Sequence, residues 1–424
     1  LARSADQAVW EAASATAADW LMLINYSLIF ALLLLFSGLV LDAGMLEWTA
    51  LHLQTAADAA AQEGMYELAR GNAAWATAGK AQATLIGYTN GVAGGLVTLV
   101  NPPVSGPYAG DHLAVQATVT QAATNLFMEL VNGGKSTVAR SAVARVLPTC
   151  IWIMNPSSSN AYGQIQIESA GLRPTTCGIY INTRSGGNLR VDGFGILTTS
   201  RIRIVGPSSG DGSAGSVWPA PIFGAAQKND PLAYVTAPTF VSCTYSSMSV
   251  TGGTYQVSPG TYCGFTASNV TINFDPGLYI FTGGLTLQNN STLNGSGVTL
   301  YFTAGGGFGY GTVNITNSAL NLTAPTSSSA GGIAGVLMFS DRNWVDHGNQ
   351  DFKIQNSTLL TDGIWYLPNI GLYLWQCGNF QGTHYLGLVI DNFFQFNGNT
   401  YGSADYSTLP GGSPYHYEDG VLVQ

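Results

Sequence analysis

Residues 259–303 read PGTYCGFTASNVTINFDPGLYIFTGGLTLQNNSTLNGSGVTLYFT. Short apolar triplets, VTI (270–272), LTL (285–287) and VTL (298–300), are separated by Gly, Asn, Ser and Thr, and the pattern continues in VNI (313–315) and LNL (320–322). The outer two residues of each triplet share a face, because successive side chains of a strand alternate. Gly-led strands interleave with them, beginning at Gly260, Gly277, Gly297, Gly335, Gly363 and Gly387, at intervals of 17, 20, 38, 28 and 24 residues, the 38 reading as two turns. Short strands and polar turns at this loose period predict an irregular right-handed parallel β-helix, in which each turn buries its apolar face only by stacking on the next. The rival is a Greek-key sandwich, which favours hairpin turns such as Asn-Gly, found at Asn294-Gly295 and Asn397-Gly398.

Outward from this stretch, Asp275 is the one charged side chain between Pro231 and Ser340. The whole chain carries 14 Lys and Arg and 23 Asp and Glu in 424 residues, 9% charged, where about 25% is usual. Its surface is therefore made polar by hydroxyls and amides. Residues 1–203 hold 11 basic and 12 acidic side chains, net −1, and residues 204–424 hold 3 and 11, net −8. An ion-poor, acidic chain argues against nucleic acid as a partner. The recurring Val, Ile, Leu, Tyr and Phe exclude disorder from weak hydrophobicity.

Five cysteines stand at Cys150, Cys177, Cys243, Cys263 and Cys377, without a CxxC pair or zinc-type Cys/His spacing. In an oxidising compartment Cys150–Cys177 and Cys243–Cys263 would close modest loops and leave Cys377 over. In a reducing one, all five are small buried apolar residues.

The segment Trp20 to Leu41, WLMLINYSLIFALLLLFSGLVL, has 22 residues and no charge. At 1.5 Å per residue such a helix crosses the hydrocarbon core of a bilayer. Its front carries Asp6, Glu11 and Asp19 against Arg3 alone, unlike the basic front of a cleaved signal peptide, so the segment is expected to be retained. Strong helix formers continue without proline to Gly71 and Asn72, predicting one helix over about residues 18–70. Ala56, Ala57, Ala59, Ala60 and Ala61 form a thin waist that lets another helix approach closely. Beyond it a second helix is expected around Asn72–Tyr88, then strands at 96–100 and 112–120, a short helix at 125–130 and a closing segment at 136–146. The chain thus divides into an assembly helix (1–71), a small α+β head (72–149) and an all-β region (150–424).

Leu41, Asp42, Ala43 and Gly44, followed by LQTAADAAA from Leu53 to Ala61, resemble the N-terminal signature of TadG-like proteins of the Flp/Tad pilus system. In that family an apolar helix ends in a V/L-D-x-G step and runs into L-Q-x-A-A-D-A-A-A. Upstream the chain departs from the pattern, with an Ala-rich, mildly acidic stretch in place of a basic cluster. Motifs PGTY (259–262), DPGLYIFTGG (275–284), GSGVTLYFT (295–303) and LTAPT (322–326) extend the resemblance more loosely over the β region. A long apolar helix with a small head is also the plan of pilin-like subunits. By this likeness the assembly residues are Trp20, Leu23, Ile24, Phe30, Leu34, Gly38, Leu41, Asp42, Gly44, Leu53, Ala56, Ala57 and Ala60, with Asp6 as an assembly charge facing a neighbour's N-terminal amine.

The densest ionisable cluster is Asp341, Arg342, Asp346, His347, Asp351 and Lys353. As a carbohydrate-cleaving site it would need two facing carboxyls, or a carboxylate with a base; otherwise it is a solvated loop. No P-loop, HExxH, EF-hand or triad-bearing GxSxG motif occurs, and no cofactor or metal is expected. The histidines are isolated in sequence. The aromatic stretch WYLPNIGLYLWQCGNFQGTHY (365–385) either stacks on sugars or fills the core. The expectation is a non-enzymatic structural subunit of a cell-surface or extracellular filament. It passes through the inner membrane before assembling with copies of itself. A membrane-anchored adhesin for surface glycans and an anchored polysaccharide-active enzyme are the alternatives.

Overall fold

A computed structural model describes residues 3–92, 94–123, 136–157, 164–185, 188–207, 215–328, 331–346, 350–410, 412–416 and 420–423, with side chains from Trp20 onward except Leu21. The segment 125–130, His347 and the Asp6 side chain lie outside the described set. The chain forms two compact units. One comprises Leu1–Leu68, Asn72–Arg145 and Gly420–Gln424; the other comprises Ala69–Gly71 and Val146–Asp419.

In the first unit a single helix, α1, runs over Arg3–Ala69, 67 residues. It begins earlier than the apolar pattern suggested, because the Ala-rich front is itself a good helix former. Its end is built by Gly71, whose φ of +76° suits a residue without Cβ. The next N–H, of Asn72, donates to the Glu67 carbonyl at 2.9 Å, satisfying an acceptor that the helix end would otherwise leave free. The Asn72 side chain in turn accepts from the Ala74 N–H at 2.9 Å, just ahead of α2, Trp75–Leu85. Leu96–Val100, Ala114–Ala123 and Ser136–Val146 then pair antiparallel in that order, and Gly420–Leu422 adds the fourth strand.

Leu53, Ala56, Ala57, Ala60, Ala61 and Met65 of α1 are buried, as are Val97, Val115, Ala117 and Val119 of the sheet. The close approach permitted by the small residues is made by the chain's own second helix. A Cβ added at Gly79 of α2 would strike Leu99 Cδ2 and lie 2.7 Å from the Ala60 carbonyl oxygen. Across from it, a Cβ at Gly64 would meet Leu99, Val115 and Trp75.

The second unit is a large, mostly parallel sheet system. Every triplet seen in the sequence falls within or against a strand: Thr271–Phe274, Gly277–Gln288, Val298–Thr303, Val313–Thr316 and Ala319–Thr323. Successive rungs stack like residues on like. One inward column runs Phe265, Leu285, Val313, Phe352, Leu372, Phe393, Ile165 and Leu189. A second runs Ile272, Leu293, Leu320, Leu359 and Phe380. A third runs Tyr279, Leu300, Met338, Trp365, Leu388, Ile151, Ile179 and Ile202. All these side chains are buried. The antiparallel Greek-key alternative is not what forms: among the described strands of this unit, only Tyr385–Ile390 with Ser403–Ala404 pairs antiparallel.

The order of rungs is not the order of the sequence. Thr149–Ile153 and Ile165–Leu172 enter beside Tyr385–Ile390 and Phe393–Tyr401, in the middle of the stack. From there the chain proceeds rung by rung to Ile222–Phe223. It then passes through residues 224–244 to begin again at the opposite end with Tyr245–Thr251, and works back to its starting point. Residues 224–244 lie across the rungs as a strap. Asn182 exchanges two hydrogen bonds with the Lys228 backbone, of 2.8 and 3.0 Å, and Tyr180 donates to the Ala226 carbonyl. Further along, Phe240 lies against Gly305, and Cys243 is bonded to Cys263.

Gly79→Ala tests the packing of the first unit. In an open helix this change gains about 1 kcal/mol, but overpacking costs about 1–3 kcal/mol. With Leu99 and the Ala60 carbonyl already against the site, the variant is expected to lower the urea midpoint.

Candidate functional site

The candidate assembly residues separate into two groups. Trp20, Leu23, Ile24, Phe30, Leu34 and Leu41 lie on an exposed run of α1, with Trp20 70%, Phe30 63% and Leu34 51% exposed. Apolar side chains point outward on every side of this run, which suits a helix surrounded by lipid or by other helices and not one lying on a protein surface. Its two serine hydroxyls are satisfied within the helix: Ser27 donates to the Ile24 carbonyl at 2.8 Å and Ser37 to the Leu34 carbonyl at 2.9 Å. The helix is long and apolar enough to cross a membrane, or to serve as a signal sequence. Gly38 and Asp42 are buried, and nothing lies within 4 Å of a Cβ built at Gly44. Leu53, Ala56, Ala57 and Ala60 are covered inside their own unit. The apolar surface open to lipid or sister chains is therefore Trp20–Leu41, continued along the helix by the exposed Met45, Trp48 and Leu51.

The ionisable cluster is drawn into the fold. Asp341 accepts from the Thr303 hydroxyl at 2.7 Å and from the Asn343 backbone and side chain at 2.9 and 3.1 Å. Arg342 fastens the strap. Its Nε donates to Tyr366 Oη at 2.6 Å and its Nη2 to the Leu232 and Val235 carbonyls at 3.0 and 2.9 Å, with the guanidinium over the Phe339 and Tyr366 rings. The Tyr366 hydroxyl in turn donates a hydrogen bond to the Asp230 carboxylate at 2.5 Å. Asp346 accepts from the Gly371 N–H at 3.3 Å and Asp351 from the Trp344 indole at 3.2 Å. Lys353 lies 6.0 Å from the Tyr373 ring centre. Burial pushes the Asp391 carboxyl above its usual range and the Asp346 charge adds to this, while bonds from Asn392 and Asn155 oppose it. Among the described residues no group of three or more His, Cys, Asp or Glu side chains could hold a metal ion. His384, isolated in sequence, pairs with Asp362 of the neighbouring rung through both its ring Nδ1 and its backbone N–H, each at 2.9 Å.

The aromatic stretch divides between buried and outward rings. Trp365, Tyr366 and Phe380 are buried, whereas Tyr373 and Trp375 point outward. Outside, they stack on Phe394 and Phe396 of the next rung at centroid distances of 4.2 and 4.4 Å and interplanar angles of 10° and 28°. Phe394 and Phe396 lie beyond the segment singled out from sequence; their alternation in FFQFNGNTY was the available signal. The four rings turn their faces to one another and their edges outward.

Cys150 is bonded to Cys177, and Cys243 to Cys263, with Cα separations of 5.6 and 5.7 Å. Cys377 is free and buried, and it replaces a serine. At one corner of successive rungs a left-handed Asn or Gln, at Asn290, Asn317, Asn356 and Gln376, precedes an inward Ser291, Ser318, Ser357 and Cys377. Ser318 and Ser357 donate to the carbonyls two residues before them at 2.9 and 2.7 Å, and the Cys377 thiol makes the same contact with Trp375 at 3.7 Å. Burial pushes this thiol up to about 11.

No family model, no curated protein and no solved structure matches the chain.

Two outcomes follow from these contacts. Cys377→Ser should keep stability within about 1 kcal/mol, since the hydroxyl restores the column, and the wild-type thiol should react with a maleimide at pH 7 only after unfolding. Arg342→Ala should cost about 2–4 kcal/mol, because it strips charge-assisted bonds from buried partners, and should raise hydrogen exchange selectively in residues 226–235.

Proposed function

We propose that the protein is a non-enzymatic structural subunit of a cell-surface filament. In this reading the Trp20–Leu41 helix resides in a membrane before assembly and is afterwards buried against the same helix of sister chains, displaying the ion-poor β unit outward. One observation carries it: the uncharged run Trp20–Leu41 has its described apolar side chains exposed on all sides, on a helix that further along packs Leu53, Ala56, Ala57, Ala60, Ala61 and Met65 into an α+β unit. Such a surface does not stay in water. Removing it is worth roughly tens of kcal/mol at about 25 cal/mol per Å², before the ordering costs of association. The likeness to TadG-like proteins and to pilin-like subunits supports the same reading, as does the winding of the parallel rungs, which we take to be a right-handed β-helix. Asp6 serves as the assembly charge toward a neighbour's N-terminal amine.

A membrane-anchored adhesin is favoured by one different observation, the length of the exposed run. At 1.5 Å per residue its 22 residues measure about 33 Å, close to the roughly 30 Å hydrocarbon core of a bilayer. Glycan binding at 365–385 would then use ring edges and the amides beside them. Catalysis is disfavoured because the carboxylates of the 341–353 cluster are engaged with backbone and side-chain donors.

Electron microscopy of the purified full chain separates these readings. Regular filaments in detergent-free buffer are expected, and Phe30→Asp should abolish them while leaving the β unit folded by circular dichroism. Recovery only in micelles or vesicles would establish the anchor instead. Asp6→Asn should slow assembly. Activity on a polysaccharide that is lost in Asp341→Asn or Asp346→Asn would replace both readings with an enzyme.

A further inference from the structure

The parallel ladder of the second unit ends at two unlike edges. At one, Ser216–Trp218 and Ile222–Phe223 form the last strands, and between them stand Pro219 and Pro221, which have no N–H to offer a further strand. At the other, Tyr245–Thr251 and Thr254–Val257 pair with Gly260–Ser268 and Thr271–Phe274 on one side, and no described strand pairs on the other. Alternate residues of a parallel strand direct their N–H and C=O groups to opposite neighbours, so half the backbone groups of this rung face out of the ladder.

Natural edges of this kind are blunted by lysine, proline, bulges, inward charge or a covering segment, and solenoids close with a capping repeat. Ser247, at φ +52°, bends the outer strand between Ser246 and Met248, so its straight part is Met248–Thr251. Residues 244–257 contain neither charge nor proline. Tyr245, Ser246, Ser249, Thr251, Thr254 and Tyr255 are exposed. Tyr245 is also the outermost ring of a column, stacked on Tyr262 at 4.8 Å, which stacks on Tyr279 at 6.1 Å, and it remains 44% exposed.

We propose that this edge is an interface between two copies of the chain, joined edge to edge about a twofold axis with their Met248–Thr251 segments antiparallel. The open backbone requires an extended strand as its partner. A second copy of the same edge supplies one that is uncharged, so no charge is stranded or opposed in the contact. Head-to-tail continuation of the ladder would instead seat this edge on Ser216–Trp218 and Ile222–Phe223, strands of three and two residues with Pro219 and Pro221 between them, an edge already blunted by shortness and proline. A self-complementary contact is what the two unlike ends leave. It does not depend on the apolar helix, and it applies to a filament subunit and to an anchored protein alike.

The test uses the full chain in detergent, which covers the apolar helix and removes its contribution to association. Sedimentation equilibrium should give twice the chain mass for the protein component. Ser249→Lys combined with Thr251→Lys should halve that mass without shifting the thermal midpoint, whereas Asn314→Lys, exposed on the flank of the ladder, should leave the dimer intact. Independently of any charged variant, Ser249→Cys treated with a short bis-maleimide should give a single dimer band, since Cys377 is buried. A wild-type chain that stays monomeric in detergent, a dimer that survives the double lysine, absence of the cross-link, or open-ended oligomers broken only by changes at 218–223 would each overturn the proposal. None of these results bears on whether detergent-free filaments form.

Discussion

The pairing of Thr149–Ile153 and Ile165–Leu172 with Tyr385–Ile390 and Phe393–Tyr401 holds together parts of the chain more than 200 residues apart, and the second unit depends on it. A rung of short strands cannot bury its apolar face by itself; it needs a neighbour above and below. Here the first rungs of the sequence would present one bare face if the last rungs did not stack on them. The inward columns pass through this junction unbroken, from Leu388 to Ile151 and from Phe393 to Ile165, so the seam is packed like the interior of any other rung.

The strap is the consequence of that path. A chain that starts in the middle of its own stack must carry some segment from one end to the other, and residues 224–244 do so outside the ladder. Such a segment bonds to strands at its two ends, Ala225 N–H to the Ile204 carbonyl and Thr244 N–H to the Thr261 carbonyl, and between them its polar backbone must be satisfied in another way. Side chains supply what strands do not: Asn182, Tyr180 and Arg342 bond its backbone, Tyr366 bonds its Asp230, and the Cys243–Cys263 disulfide fixes its far end. The most charged stretch of the β region therefore serves the fold. Arg342 lies against the Phe339 and Tyr366 rings, where its guanidinium supplies the several hydrogen bonds the strap takes at that point.

The two units place opposite demands on the solvent. The β unit is ion-poor, with Asp275 alone charged between Pro231 and Ser340, and its outer face is rich in Thr, Asn and Ser; the exposed run of α1 is greasy on all sides.

Much of this was present in local sequence. The alternation in VTI, LTL, VNI and LNL marks inward positions directly, because strand side chains alternate whatever lies beyond them. The uncharged run Trp20–Leu41 and the helix end at Gly71 are equally local. Other features are contacts between rungs, and neighbouring residues carry no trace of them. His384 meets Asp362 from 22 residues away, and Cys377 occupies a place defined by Ser318 and Ser357 on other rungs. Phe394 completes a ring stack begun at Tyr373. The sequence by itself determined which residues face inward and that an apolar rod precedes them, since both follow from periodicity and composition. Only the tertiary structure decided which rung lies beside which, because that depends on pairing energies between segments distant along the chain.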